Sequence, residues 1–171
     1  MKRYIELFGI PNVWTLLIAC FPARVAYGMV GLSIFFKAEQ STDSIAFAGI
    51  AIGLNAAAGS FTAGIRGSIM DKYGQTWPLR IMVPTYAGMA FALNAVESKS
   101  WMLILAFVMG LSAPPINLSV RPLWKIIVPD DFLRTAYAMD TAIMSAAGVV
   151  GPVVATSLAL SSNPSLPLNI V

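Results

Sequence analysis

Two charged side chains stand inside otherwise apolar stretches of this sequence, Arg24 within Val13–Phe36 and Asp140 within Ala136–Leu160. By helical rise, Arg24 lies about 17 Å into its stretch, close to the midplane of a bilayer. Asp140 lies about 9 Å inside the boundary marked by Arg134. A charge at such depth is disfavoured by about 2.5–3.5 kcal/mol, so each needs a polar cavity or a partner. Tyr27, one turn beyond Arg24, shares its face. Asn55 falls mid-way along a second apolar stretch, and Asn117 follows Pro114-Pro115, which break a fourth. Broken helices expose backbone carbonyls, tolerated in hydrocarbon only where they line a cavity or are covered by protein. Arg24, Tyr27, Asn55 and Asn117 are therefore expected to form a polar site for a small molecule, the guanidinium favouring an anionic group. The competing reading starts the first span later and lets Arg24 snorkel to an interface. For Asp140 two roles stand open: an ion pair, with Arg121 as the expected partner, or a carboxyl that loads and releases a proton.

Much enzyme chemistry is missing. The chain has no histidine, one cysteine and only 8 carboxylates. It therefore lacks the commonest general acid–base side chain, and no Ser-His nucleophile or histidine-based metal site can form. No enzyme activity, cofactor or metal is expected. The net charge of +3 comes from basic residues scattered through short loops rather than gathered in one patch, which argues against nucleic acid. With 57% hydrophobic and 11% charged residues, the chain lacks the polar coat of a soluble domain. Leu17-Ile18-Ala19-Cys20 behind Lys2-Arg3 has the look of a lipoprotein cleavage box. Glu6, Pro11 and Asn12 interrupt the apolar run it needs, and hydrophobic sequence continues to Phe36. A transmembrane helix with an incidental cysteine is the better reading.

The elements that must position these residues are five apolar segments: Val13–Phe36, Ile45–Ile65, Leu79–Val96, Trp101–Val120 and Ala136–Leu160. Each is long enough, or nearly so, to cross a bilayer as a helix, which predicts an all-α polytopic bundle in one transmembrane domain, residues 1–171. Gln40-Ser41-Thr42-Asp43-Ser44 offers N-cap residues before the second segment, and Pro78 suits the first turn of the third. Lys2, Arg3, Arg66, Lys72, Arg80, Arg121, Lys125 and Arg134 flank one side, while Lys37 and Lys99 flank the other. That bias puts the N-terminus in the cytoplasm. Trp14, Trp77, Trp101 and Trp124 fall near segment ends, where interfacial anchors belong.

Gly49, Gly53, Ala57, Ser60, Gly64 and Gly67 recur along one face of the second segment. Small side chains let helix backbones approach where lipid supplies no hydrophobic drive, so a packed face is expected, static or sliding. In the fifth segment Pro152 removes a donor and crowds the carbonyl of Gly148, predicting a kink at Gly148-Val-Val-Gly151-Pro152.

Between the second and third segments runs Gly67-Ser-Ile-Met-Asp71-Lys72-Tyr-Gly74. Gly-x-x-x-Asp-Lys-x-Gly at this place resembles the signature loop between helices 2 and 3 of the major facilitator superfamily (MFS). The resemblance implies that Asp71, framed by Gly67, Lys72 and Gly74, helps hold the cytoplasmic ends of two helical halves together in one conformation. Gln75 and Thr76 stand where the family usually has basic residues. The Gly151-Pro152 pair is similar to part of the fifth-helix motif of the family's antiporters, with Ala155 and Thr156 in place of glycines. By this resemblance the chain is expected to be the first five of twelve helices of a transporter that moves a small molecule across a bacterial inner membrane by alternating access, with a lean to proton-coupled efflux. The missing C-terminal half is then its partner, because Asn163-Pro164-Ser165-Leu166-Pro167 is too short and proline-broken to supply a sixth span. The alternative is a small membrane interaction or scaffold protein acting through the small-residue face.

Overall fold

The computed structural model describes residues 2–161 and 166–170, and among these every regular element is helical. The order is α1 (Lys2–Phe8), α2 (Val13–Thr42), α3 (Ile45–Tyr73), α4 (Thr76–Ala95), α5 (Lys99–Ser112), α6 (Ile116–Ile127), α7 (Asp130–Ser161) and α8 (Leu166–Ile170). Four stretches are long and apolar enough to cross a membrane: Val13–Thr42, Ile45–Tyr73, Lys99–Ile127 and Asp130–Ser161. The all-α transmembrane bundle expected from composition is thus the fold. Helix α4 covers the third expected span but, with Arg80 and Pro84 inside it, is less apolar than those four. The proline-rich tail bears on this only in part, since residues 162–165 lie outside the described residues.

Helices α2 and α3 run beyond their apolar segments because helix-compatible polar residues continue them until the chain reaches a residue that adopts positive φ. Asp43, at φ 51°, ends the run of α2, and Ser44 then accepts a hydrogen bond from the amide of Phe47 to cap α3. Gly74, at φ 73°, ends α3. That conformation costs a residue with a Cβ far more than it costs glycine. Asn12, at φ 67°, turns the chain between α1 and α2, where Phe8 and Trp14 stack with ring centroids 4.6 Å apart.

The chain divides into two compact units. The first holds α1, α2 to Gly28, α6 and α7 to Gly151. Its core is built on Leu7, Val13, Leu17, Val120, Trp124 and Ala136. Trp124 is completely buried there, whereas Trp14, Trp77 and Trp101 are exposed. Of the four expected interfacial tryptophans, Trp124 is therefore a core residue. It shares the inward face of α6 with Val120, so packing rather than the interface claims its ring.

The second unit holds the remainder of α2, helices α3, α4 and α5, the end of α7 and α8. Its core includes Ile34, Ala48, Ala51, Leu93, Met102 and Met109. Here α3 and α5 approach closely at Gly110, where a methyl group would overlap the carbonyl oxygen of Asn55 and lie 2.9 Å from Cβ of Ala58. Along this seam α3 presents a row of donors to the carbonyls of α5. Asn55 Nδ2 donates to Ala106 O at 2.8 Å and Thr62 Oγ1 to Leu111 O at 3.4 Å, while Arg66 Nη1 donates to Ala113 O. The guanidinium also donates to the carbonyls of Gly59 and Thr62 on its own helix.

The pattern has a cause in sequence. Pro115 has no N–H to offer Leu111 O, and the helix breaks at Ala113, whose carbonyl is left outside the helical ladder as well. Thr62 and Arg66 on the neighbouring helix supply the missing donors, and the cation also complements the negative end of the α5 dipole. Arg66 is therefore buried and does not act as one of the flanking loop charges expected from sequence.

Arg66→Met should lower the unfolding free energy of the chain in detergent by about 1–3 kcal/mol for each buried carbonyl it leaves unpaired. Arg66→Lys should lose less, keeping the charge but not the fork. Letting the helix run on by Pro114→Ala with Pro115→Ala, so that Asn117 N–H can reach Ala113 O, should shrink the penalty of Arg66→Met. Denaturant titration of the single, double and triple variants measures each step.

Candidate functional site

Helices α2 and α7 meet along complementary stripes in the first unit. On α7 the buried positions Ala136, Asp140, Ala147 and Gly151 recur at helical spacing, and on α2 the sequence Leu17, Arg24 and Gly28 faces inward. At one end of the seam the approach is backbone to backbone. A methyl on Gly151 would lie 2.8 Å from the carbonyl oxygen of Val25 and from the carbonyl carbon of Gly28. A methyl on Gly28 would lie 3.1 Å from Ala147 O. Small residues are what permits this distance.

One helical turn from Gly28 the two charged side chains find each other. Arg24 Nη2 lies 2.7 Å from Asp140 Oδ1, and both side chains are almost wholly buried, with 2% and 6% of their surfaces accessible. Arg24 Nη1 donates further to the backbone carbonyl of Asp140 at 3.4 Å. The Nε of Arg24 is buried with no hydrogen-bond partner among the described residues. A snorkelling arginine would carry its guanidinium to the surface, so burial excludes that reading of Arg24. The half-buried Cys20 lies one turn before Arg24 on the same helix.

Asp140 thus takes Arg24 as its partner rather than Arg121. Helix α6 turns Ser119, Val120 and Trp124 inward, which leaves Arg121 on its outer face, where it lines a cavity with Pro122, Lys125 and Tyr137. The pairing could not be read from spacing because Arg24 and Asp140 are 116 positions apart in sequence. The shared feature that could have found it is depth, since these two are the ionisable groups placed well inside apolar stretches.

The other sequence-derived residues are distributed as follows. Tyr27 stands next to the pair in sequence and is partly exposed. Asn117 belongs to the same unit, at the start of α6, with its Oδ1 buried and unpartnered. Asn55 belongs to the second unit, and its amide is committed to Ala106 O. In the signature stretch, Gly67, Asp71 and Lys72 are helical, in the last two turns of α3, and the loop shrinks to Gly74 and Gln75. Asp71 is exposed, and Lys72 Nζ sits 5.3 Å from the ring centroid of Tyr73. Helix α7 continues through Gly148, Gly151 and Pro152, and the division between the two units falls between Gly151 and Pro152. Thr62 and Arg66 were not singled out by sequence reasoning. Arg66 reads as a loop charge until the helix is seen to extend past it. Among the described residues, no cluster of carboxylates and cysteine could hold a metal ion.

An uncharacterized MFS-type transporter of Sinorhizobium fredii is 28% identical to this chain over 176 aligned positions, which take in 98% of the chain. The chain resembles an MFS-type transporter. It spans 43% of the length of that relative. No family profile and no solved structure matches it. The resemblance carried by Gly67, Asp71, Lys72 and Gly74 therefore extends along nearly the entire sequence, well beyond one short motif.

Removing one member of the Arg24–Asp140 pair should cost about 3–5 kcal/mol, because the other charge is left buried and alone. Replacing both by methionine should cost far less than the sum of Arg24→Met and Asp140→Met. A double-mutant cycle of unfolding free energies in detergent measures the coupling. Strictly additive losses would mean that the two charges do not act as a pair.

Proposed function

We propose that this chain forms part of a major-facilitator-type transporter that moves a small molecule across the membrane by alternating access. The similarity to an MFS-type transporter along 98% of the chain carries the reading. The buried pair of Arg24 and Asp140 supports it, because intramembrane charges mark substrate or proton pathways by default. On this reading Arg24 is the anchor for an anionic group, its free Nε supplying a donor that Asp140 does not use. Tyr27 and Asn117, from the same unit, are proposed as further substrate contacts, and Asn55 as a residue that fixes the broken fourth span. Asp140 acts as the switch. When it is protonated, or when a substrate anion replaces it, the guanidinium is released to the ligand, which is the chemistry of proton-coupled efflux. Asp71 with Gly67, Lys72 and Gly74 gates one end of the bundle, and Gly148, Gly151 and Pro152 are proposed as the place where α7 kinks. On this reading the working transporter also includes a part corresponding to the length of the relative beyond the matched 43%, and it lies in the inner membrane with the N-terminus in the cytoplasm.

A scaffold role is the second reading. It draws on α3, where Gly49, Gly53, Ala57, Ser60 and Gly64 are exposed and a methyl on any of these three glycines would meet nothing within 4 Å. In a transporter that face would meet the other half, and in a scaffold it would meet a different protein.

The test is a thermal-shift screen of the purified chain against small organic carboxylates, phosphates and sulfonates. At least one should raise Tm for the wild type and leave Arg24→Met/Asp140→Met unchanged. A ligand that stabilises both equally would remove Arg24 from the binding site. Orientation is checked with single cysteines at Gln75 and Ser98 in a Cys20→Ser background, labelled by a membrane-impermeant thiol reagent. In intact cells position 98 should label and position 75 should not, and the reverse would invert the topology.

A further inference from the structure

With Asp140 held by Arg24, Arg121 is left without the partner that its sequence position promised. It lines, with Pro122, Lys125 and Tyr137, a cavity of about 430 Å³ in the first unit. We propose that this cavity binds the phosphate headgroup of an anionic membrane lipid. Three features of the molecule lead there, and none depends on the transporter reading.

The first is uncompensated charge. Among the described residues neither Arg121 nor Lys125 has a carboxylate partner, and the cavity wall contains no acidic side chain. The two cations are one helical turn apart on α6 and so lie on one side of it. Tyr137 comes from α7 and adds a phenol that can donate a hydrogen bond. Two cations and a phenol around one space, with no anion of their own, call for an anionic ligand with several acceptor oxygens.

The second is the apolar row beside the cations. Leu118, Pro122 and Ile126 follow one another at four-residue spacing and are all exposed, Leu118 at 55% and Ile126 at 80%. They lie alongside the Arg121–Lys125 row on the outer surface of the helix. A free phosphate would have no use for that row, whereas a lipid places its charged head on the cations and its chains on the apolar side chains.

The third is depth. Lys99–Ile127 is one of the stretches able to cross the membrane, and Lys125 stands in its last turn with Arg121 one turn further in. This is the level at which headgroup phosphates meet the hydrocarbon edge, and where basic pockets between helices hold anionic lipids.

The full chain, purified in neutral detergent, can be tested by native mass spectrometry with phosphatidylglycerol and phosphatidylcholine of identical acyl chains. Wild type should retain phosphatidylglycerol in clear preference. Arg121→Gln/Lys125→Gln should lower that retention about ten-fold or more, given the pull of each basic residue on anionic lipid. The charge-keeping swap Arg121→Lys/Lys125→Arg should retain the lipid, and Lys2→Gln/Arg3→Gln should behave as wild type. Equal retention of the two lipids by the wild type would overturn the proposal without reference to any variant. So would undiminished phosphatidylglycerol retention in the folded glutamine variant. Displacement of the bound lipid by millimolar inorganic phosphate in the wild type would also overturn it, assigning the cavity to a free anion instead.

Discussion

In hydrocarbon no solvent is available to complete a hydrogen bond, so a buried polar group in this chain is costly unless it finds a partner within the protein. That constraint explains the Arg24–Asp140 pair and the donors that α3 lends to α5. An isolated charge at either Arg24 or Asp140 would be costly in the apolar interior, and joining them within 2.7 Å turns two liabilities into one contact between α2 and α7. The close approach of Gly28 and Gly151 brings the two helices near enough for that contact to form.

The same constraint acts on backbone at Pro114-Pro115. Two adjacent prolines separate α5 and α6 inside a membrane-spanning stretch, and carbonyls left unpaired at that break would be costly too. Thr62 and Arg66, one turn apart on α3, meet the carbonyls of Leu111 and Ala113. Asn55, two turns before Thr62, does the same for Ala106 with its helix otherwise intact. The first unit spends its polar side chains on an ion pair, and the second spends them on mending a broken helix. Among the described residues, the buried donors with no protein acceptor, Arg24 Nε and Trp124 Nε1, both belong to the first unit. For this reason the candidate binding chemistry centres on the first.

Residues that these internal needs do not claim are left to the surroundings. Arg121 and Lys125 lie on the outer face of α6, and Gly49, Gly53 and Gly64 of α3 lie away from the seam with α5. Both are surfaces of a membrane protein with specific chemistry, one cationic and one sterically open, and they suit different neighbours: a phosphate headgroup and another helix.

The sequence by itself determined the fold class, the membrane-spanning character of the helices and the placement of Arg24 and Asp140 inside apolar stretches. These follow from composition and from apolar runs measured against a bilayer, both properties of the linear chain. Its resemblance to MFS transporters was legible in the same way, from Gly67, Asp71, Lys72 and Gly74 between two apolar segments. A helix start was legible where a single residue decides it, as with Ser44. Partnership was not. The choice of Arg24 over Arg121 for Asp140, the burial of Trp124 and the recruitment of Arg66 to the end of α5 depend on which face of one helix meets which face of another. Helical periodicity tells which residues share a face, but only tertiary packing decides what that face touches, because in a bilayer nearly every face is apolar enough to be turned either way.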